Sequence, residues 1–376
     1  MLYETLESRR LFAATTLDEW IGFSGSHEST LTFQAAQTRS VVEVVRSNRV
    51  RYGIPGFIAA TLRNGMVDEI GAAGVRLAGQ PDRLRWGDPM LIASGTKAMT
   101  ATLAARLVER GYIKWTHKIV DVFPGYIGRI RPQYEKVTLE QLLLHQGGLP
   151  LDLSTELTIA TALATDDPMV IRGNYLRSML RQAPVGPVGE TSYSNVGYII
   201  AGVMMEFAMR EPFENLMRRL IFEPLGMSSA GFGWPGSSRV LDAPRPHDAL
   251  GQPQRPDSIF RFPGVYNPSG GVHVNINDWA RFAGMQLGQV SRRFLSLASL
   301  RKLHTPVNGV AMGWNVVSRS GAQLLQHDGT DGFWYSSILL DFDRKTGILV
   351  MGNRGGPSGE RAVHETLAQL LDRLFT

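Results

Sequence analysis

Strand-like stretches lie at the two ends of this chain and helical ones lie between them. That arrangement narrows the available folds more than any other feature. Towards the N-terminus FIAATLR and MVDEIGAAG alternate as strands do. They are joined by Asn64-Gly65, a pair that tolerates the left-handed backbone of a two-residue hairpin. Towards the C-terminus VAMGWNVVS, AQLLQHDG, FWYSSILLDF and ILVMGN read as further strands, and ERAVHETLAQLLDRLF closes the chain as a helix. Residues 30–50 read as an amphipathic helix with Val41, Val42, Val44 and Val45 on one side. In the middle, helices are predicted after Ser94, over TLEQLLLH, 168–183, VGYIIAGVMMEFA and PFENLMRRLIF, then over NDWARFAGMQL and through Leu300. The Gly-, Pro- and Ser-rich stretch 228–269 is expected to be a long irregular connection. The expectation is an α/β fold of the α+β type, with one sheet built from both ends of the chain and flanked by helices. It comprises an extension over 1–29, an α/β lobe from 30–93 with 270–376, and an inserted helical lobe over 94–269. A cleft between two such lobes is a usual place for a substrate.

Composition excludes several classes of function. The 376 residues are 43% hydrophobic and 19% charged, which suits a globular chain with a large core. The net charge of +5 comes from arginine, since lysine occurs only at 97, 114, 118, 136, 302 and 345. The arginines are scattered and read as solvated surface, suited to acidic substrates and not to nucleic acid. With no cysteine there is no disulfide framework, thiol catalysis or thiolate metal site. The longest apolar run, VGYIIAGVMMEFAM, is too short to span a bilayer and contains Glu206. MLYETLESRRLFAATT lacks the hydrophobic core of a secretory signal. Its LESRRLFA resembles the Leu-Glu-Pro-Arg-type segment of some exported planctomycete proteins, with Ser8 in place of proline. Export and a cytoplasmic location both stay open.

Three short motifs could carry chemistry. In ASGTKAMTATLAARL, Ser94 and Lys97 stand three apart, so on a helix they face the same way and can touch. A serine in a first helical turn also sits near free backbone N–H groups. An adjacent amine can take its hydroxyl proton, which makes the pair an activated nucleophile. A second Ser-x-x-Lys, Ser299 to Lys302, lies in the charged amphipathic helix SLASLRKLH, where polar positions face solvent. Ser94 instead follows the apolar LIA and opens a nearly uncharged helix, where a buried lysine needs partners. The second motif is Tyr193-Ser194-Asn195, in a loop running into a helix; by itself Asn195 reads as an N-cap and Tyr193 as a packed aromatic. The third is His327-Asp328-Gly329-Thr330 at a strand end. Adjacent strand residues point to opposite faces, so the Asp328 side chain cannot orient His327 as a triad acid would. Gly329 and Gly332 would let the backbone come close to a substrate.

In their order and spacing, IASGTKAMTATL, VTLEQLLLHQGGLP, TSYSNVGY, FEPLGM, PSGGVHVNINDWARF and QHDGTDGFWYSS…GILVMGN resemble the serine β-lactamase and penicillin-binding-protein superfamily. The resemblance is to its class C branch, which also holds carboxylesterases and D-amino-acid peptidases, and runs from about residue 40 to the C-terminus. It implies an antiparallel sheet with an inserted all-helical lobe. It also implies that Ser94 attacks an ester or amide carbonyl to form an acyl-enzyme. Lys97 and Tyr193 would share the proton chemistry, with Tyr193 as base. Asn195 would orient substrate or Lys97, and His327 and Gly329 would line the opposite wall. The backbone N–H groups of Ser94 and Thr330 would form the oxyanion hole. No metal or cofactor is required.

Lys345-Thr346-Gly347 spells the third signature of penicillin-reactive members, Lys-Thr-Gly. The strand order puts it instead on the next hairpin, roughly 30 Å from His327-Asp328-Gly329, with Gly347 serving the turn. The site therefore has histidine where those members have lysine. His145, in HQGG, reads as structural. There is no Gly-x-Ser-x-Gly elbow, no His-Glu-x-x-His (His364-Glu365 lacks its second histidine) and no P-loop. The expected function is a carboxylesterase-like serine hydrolase acting on a small ester, amide or peptide. The alternatives are a D,D-peptidase, D-aminopeptidase or class C-type β-lactamase, or a non-catalytic ligand sensor on this fold.

Overall fold

The computed structural model describes residues 39–258, 261–289 and 293–375. The expected extension over 1–29, its LESRRLFA segment and the start of the 30–50 helix lie outside them. In chain order the principal elements are α1 (Val41–Tyr52), β1 (Gly56–Arg63), β2 (Met66–Gly74), β3 (Met90–Leu91) and α2 (Thr96–Glu109). They continue with α3 (Leu139–Leu143), α4 (Thr155–Leu163), α5 (Pro168–Met179), α6 (Asn195–Met209), α7 (Phe213–Met217) and β4 (Gly231–Phe232). Then come β5 (Val272–Val274), α8 (Ile276–Gln286), α9 (Leu297–His304), β6 (Val310–Ala311), β7 (Trp314–Arg319), β8 (Ala322–Thr330), β9 (Tyr335–Asp341), β10 (Thr346–Gly352) and α10 (Gly356–Phe375).

One seven-stranded sheet runs in the order β2-β1-β10-β9-β8-β7-β6, so the two ends of the chain meet where β1 pairs with β10. Every pairing in it is antiparallel. β9 and β10 are buried throughout and β1 up to Arg63, because alternate side chains enter the cores on the two faces of the sheet. Phe57 and Ala59 of β1, Leu339 of β9 and Val350 of β10 point to one face, where α1 and α10 cover them with Val41, Val45, Val363, Leu367 and Leu370. Ile58, Ala60, Ile338, Leu340, Leu349 and Met351 point to the other, into the larger core shared with the central helices. A capping box between Ser40 and Glu43 starts α1, and Gly53, at φ 62°, ends it. Asn64 and Gly65 both take positive φ, as their hairpin requires.

Two readings are corrected here. Gly347 does not serve the β9–β10 turn: it lies within β10, where a Cβ would come within 2.7 Å of Leu340. The left-handed residue of that turn is Lys345 itself, exposed at φ 54°. The arginines are not uniformly solvated either. Arg172 of α5 is fully buried between Glu206 of α6 and Glu214 of α7, and also donates to the Gly264 carbonyl at 3.0 Å. This satisfied cluster accounts for Glu206 in an otherwise apolar helix. Asn267 donates to Glu214 at 2.7 Å, which ties the cluster to the loop leading into Ser269.

Candidate active site

Ser94 sits in a single 3-10 turn, Ala93–Gly95, between β3 and α2. Backbone on both sides holds that turn. The Ile92 N–H donates to the Val272 carbonyl of β5 at 2.9 Å. The Ile92 carbonyl accepts from Gly95 N–H at 2.9 Å and from the Ser336 hydroxyl at 3.0 Å. Ala93 is left-handed at φ 42°, a conformation an L-residue keeps only where its surroundings impose it. Ser94 is thereby presented, partly exposed, at the mouth of the turn.

Lys97 follows in the first turn of α2 and has no exposed surface. Its Nζ donates to Ser94 Oγ at 3.0 Å, to Asn195 Oδ1 at 2.6 Å and to the Ser269 carbonyl at 2.8 Å. It lies 4.7 Å from the centre of the Tyr193 ring and 5.5 Å from that of Tyr198. All three hydrogen-bond acceptors are neutral. Burial therefore dominates and pulls the amine down to about 7, against the opposing pull of Asp152. Near neutral pH the group can hold or release a proton. As a free amine it keeps two N–H donors for Asn195 and Ser269 and turns its lone pair to the Ser94 hydroxyl.

Ser194, not Asn195, caps α6: its Oγ accepts from Gly197 N–H at 3.0 Å and donates to the Pro150 carbonyl at 2.6 Å. That leaves the Asn195 side chain free to bridge Lys97 and Asp152, donating to Asp152 Oδ1 at 2.8 Å. His145 anchors the same loop. Its Nδ1 accepts from Ser194 N–H at 3.0 Å, its carbonyl accepts from Ser192 N–H at 2.8 Å, and its ring stacks on Tyr193 at 4.4 Å. Burial and Lys97 push its pKa well down, so it is a neutral structural histidine.

β8 brings the third motif alongside. His327 points to the site face and Asp328 to the opposite one, where His364 of α10 donates to its carboxylate at 2.9 Å. His327 is 2% exposed, and its ring lies 6.1 Å from that of Tyr193. Its Nδ1 donates to the Asp328 carbonyl at 2.6 Å; a carbonyl can only accept, so Nδ1 carries the proton and neutral Nε2 is an acceptor. Burial, reinforced by Lys97, lowers its pKa to about 4. Gly329 stands next but one along the strand. A Cβ there would lie 2.0 Å from the Ile92 carbonyl oxygen, so glycine lets β8 press against the Ser94 turn. Thr330 ends the strand, its hydroxyl donating to the Trp334 carbonyl at 2.7 Å.

The other candidates lie elsewhere. Ser299 and Lys302 do not form a pair: Lys302 bonds Glu140 at 2.6 Å, and the Ser299 N–H donates to Ser296, the cap of α9. Lys345 is at the far end of the sheet, where its carbonyl accepts from Gly65 N–H at 2.8 Å. The seven residues of β9 separate it from the Thr330 end, roughly 24 Å at about 3.4 Å per residue. Sequence reasoning missed Asp152 and the Ser269 carbonyl. A lone carboxylate in the apolar stretch LPLDL was the available signal for the first. Nothing in a sequence reports a backbone carbonyl. No cluster of potential metal ligands occurs among the described residues.

Comparison with known proteins places this arrangement. A family model described as Beta-lactamase matches residues 34–373. Penicillin-binding protein 4 of Amycolatopsis lactamdurans is 26% identical over 308 residues, covering 78% of this chain and 79% of the relative. Two solved structures share the fold. A class C β-lactamase from Rhodobacter sphaeroides has a TM-score of 0.73 at 18% identity, covering 89% of this chain and 99% of that one. A D-alanine carboxypeptidase from Burkholderia cenocepacia has a TM-score of 0.70 at 19% identity, covering 87% and 97%.

Proposed function

The chain belongs to the Beta-lactamase family, a family of serine hydrolases, and from that premise we propose that it is a carboxylesterase-like enzyme working through an acyl-enzyme on Ser94. The observation that carries the reading is Lys97 Nζ at 3.0 Å from Ser94 Oγ, with burial holding the amine near neutrality. Neutral Lys97, in place of the Tyr193 base that the resemblance implies, takes the hydroxyl proton as Oγ bonds to the ester carbonyl carbon; its Nζ lies 3.0 Å from Ser94 Oγ. The oxyanion is received by the N–H groups of Ser94 and Thr330. As the C–O bond breaks, the leaving alkoxide takes a proton from the Tyr193 hydroxyl, and the proton that Lys97 accepted from Ser94 restores it. Water then enters by the reverse route and frees Ser94. The site lies where the helical segment 94–269 meets 30–93 and 270–376.

The preference for esters rests on His327. The Lys-Thr-Gly signature of penicillin-reactive enzymes carries a lysine in this motif, and a cation there can face a substrate carboxylate. His327 is buried and neutral, so a carboxylate-bearing β-lactam or D-alanyl peptide gains nothing from it. The second reading, a D-alanyl peptidase or β-lactamase, is favoured by what its relatives are called. Hydrolysis of a panel of p-nitrophenyl esters, a chromogenic cephalosporin and D-alanyl peptides separates the two. Ester kcat/KM should exceed the others by at least about tenfold. A ratio below one makes this a peptidase or lactamase, and no turnover with no covalent labelling makes it a non-catalytic binder.

A further inference from the structure

All three donors of buried Lys97 end on neutral acceptors, so its ammonium has no anion in contact. Among the described residues the carboxylate that acts on it is Asp152, one residue further out and reached through Asn195; burial raises the pKa of Asp152, and Asn195 and Lys97 pull it back. A carboxylate can only accept and an ammonium can only donate. Only one of the two orientations of the Asn195 amide satisfies both, Oδ1 to Lys97 and Nδ2 to Asp152. The chain Asp152–Asn195–Lys97–Ser94 therefore has a fixed polarity, set from its outer end.

We infer that Asp152 is a positioning residue that locks the Asn195 amide and supplies the countercharge of Lys97, and so sets the pH at which Ser94 becomes reactive. The inference rests on the reading of Ser94 as nucleophile and Lys97 as its base. Other titratable groups face the same centre. His145 and His327 are held neutral far below pH 7. Tyr198 and Tyr266 are driven upward, chiefly by burial. The Tyr193 ring stands over Lys97. Asp331, just beyond β8, is pushed up to about 6 by burial and turns instead to the Trp234 indole and the N–H groups of Phe333 and Trp334. Among the carboxylates of the described residues, only Asp152 is linked to Lys97, through Asn195.

The test is the rate at which a fluorophosphonate labels Ser94, measured from pH 5 to 9 and located by peptide mass spectrometry. Asp152→Asn keeps an acceptor for Asn195 but removes the charge. Its acid limb should move to lower pH by roughly one unit, because a neighbouring opposite charge shifts a pKa by that order. Its plateau should stay within about threefold of the wild type. Asp152→Ala should show the same shift with a plateau at least about tenfold lower, since Asn195 then loses its lock. Should Asp152→Asn fold poorly, Asp152→Glu and Asp152→Gln make the same comparison, with Glu expected near the wild-type limb and Gln shifted. A wild-type profile superimposed on those of the uncharged variants overturns the role of Asp152. A wild-type protein that is never labelled at Ser94 overturns the nucleophile reading instead.

Discussion

The Ile92 carbonyl oxygen stands 2.0 Å from where a Cβ on Gly329 would be, so the strand carrying the third motif and the turn carrying Ser94 touch backbone to backbone. The Ser336 hydroxyl donates to the same oxygen at 3.0 Å, from the strand beside it. The position of Thr330 relative to Ser94 is thus set by a contact that no side chain could occupy.

Gly329→Ala should separate these elements. Overpacking in a filled interior costs about 1–3 kcal/mol, and a Cβ against backbone cannot be relieved by a rotamer change. We expect a melting temperature lower by several degrees and kcat/KM reduced at least about a hundredfold, since an oxyanion donor moves with the strand. A variant with normal kinetics would mean that Thr330 has no part in the site.

Tyr193→Phe keeps the ring stacked on His145 and over Lys97 but loses the phenolic proton. Turnover should fall by roughly two to four powers of ten, as for other lost proton-transfer groups, while thermal stability barely moves. Near-normal turnover would leave Lys97 to manage both proton transfers alone.

Lys345→Ala should change stability by no more than about 0.5 kcal/mol and leave the kinetics alone, as an exposed turn residue does. His327→Ala should lower catalysis, because His327 packs beside Tyr193. His327→Lys should raise the kcat/KM ratio of carboxylate-bearing β-lactams to simple esters by restoring a cation to the motif. If Lys345→Ala silences the protein and His327→Ala does not, Lys-Thr-Gly is the working motif.

Much of this was readable in the chain because it is local. Asn64-Gly65 dictates its hairpin, Ser94 and Lys97 meet because they are three apart at a helix start, and strand periodicity turns His327 and Asp328 to opposite faces. What escaped depends on distant partners. Arg172 is buried because two glutamates from other helices arrive beside it. Asp152 matters because Asn195 comes from 43 residues away. Gly347 looked like a turn glycine, but strand packing claims it, and Lys345 takes the left-handed position.

The folded-state pKa of Lys97, about 7, lies below the value near 10.4 of an unfolded lysine. Between those values the unfolded chain binds the proton and the folded one does not, so stability should rise as pH goes from about 7 towards 10. Below pH 7 both states are protonated and that gain is absent. Lys97→Met should flatten this part of the stability profile in urea unfolding. An unchanged slope would mean that Lys97 stays charged in the fold.

The most direct measurement is intact-protein and peptide mass spectrometry after exposure to a fluorophosphonate, with wild type, Ser94→Ala and Ser299→Ala side by side. The account predicts one adduct per chain, on the peptide containing Ser94, absent from Ser94→Ala and undiminished in Ser299→Ala. An adduct on Ser299, or a wild-type chain that takes up no label while remaining folded, would contradict it.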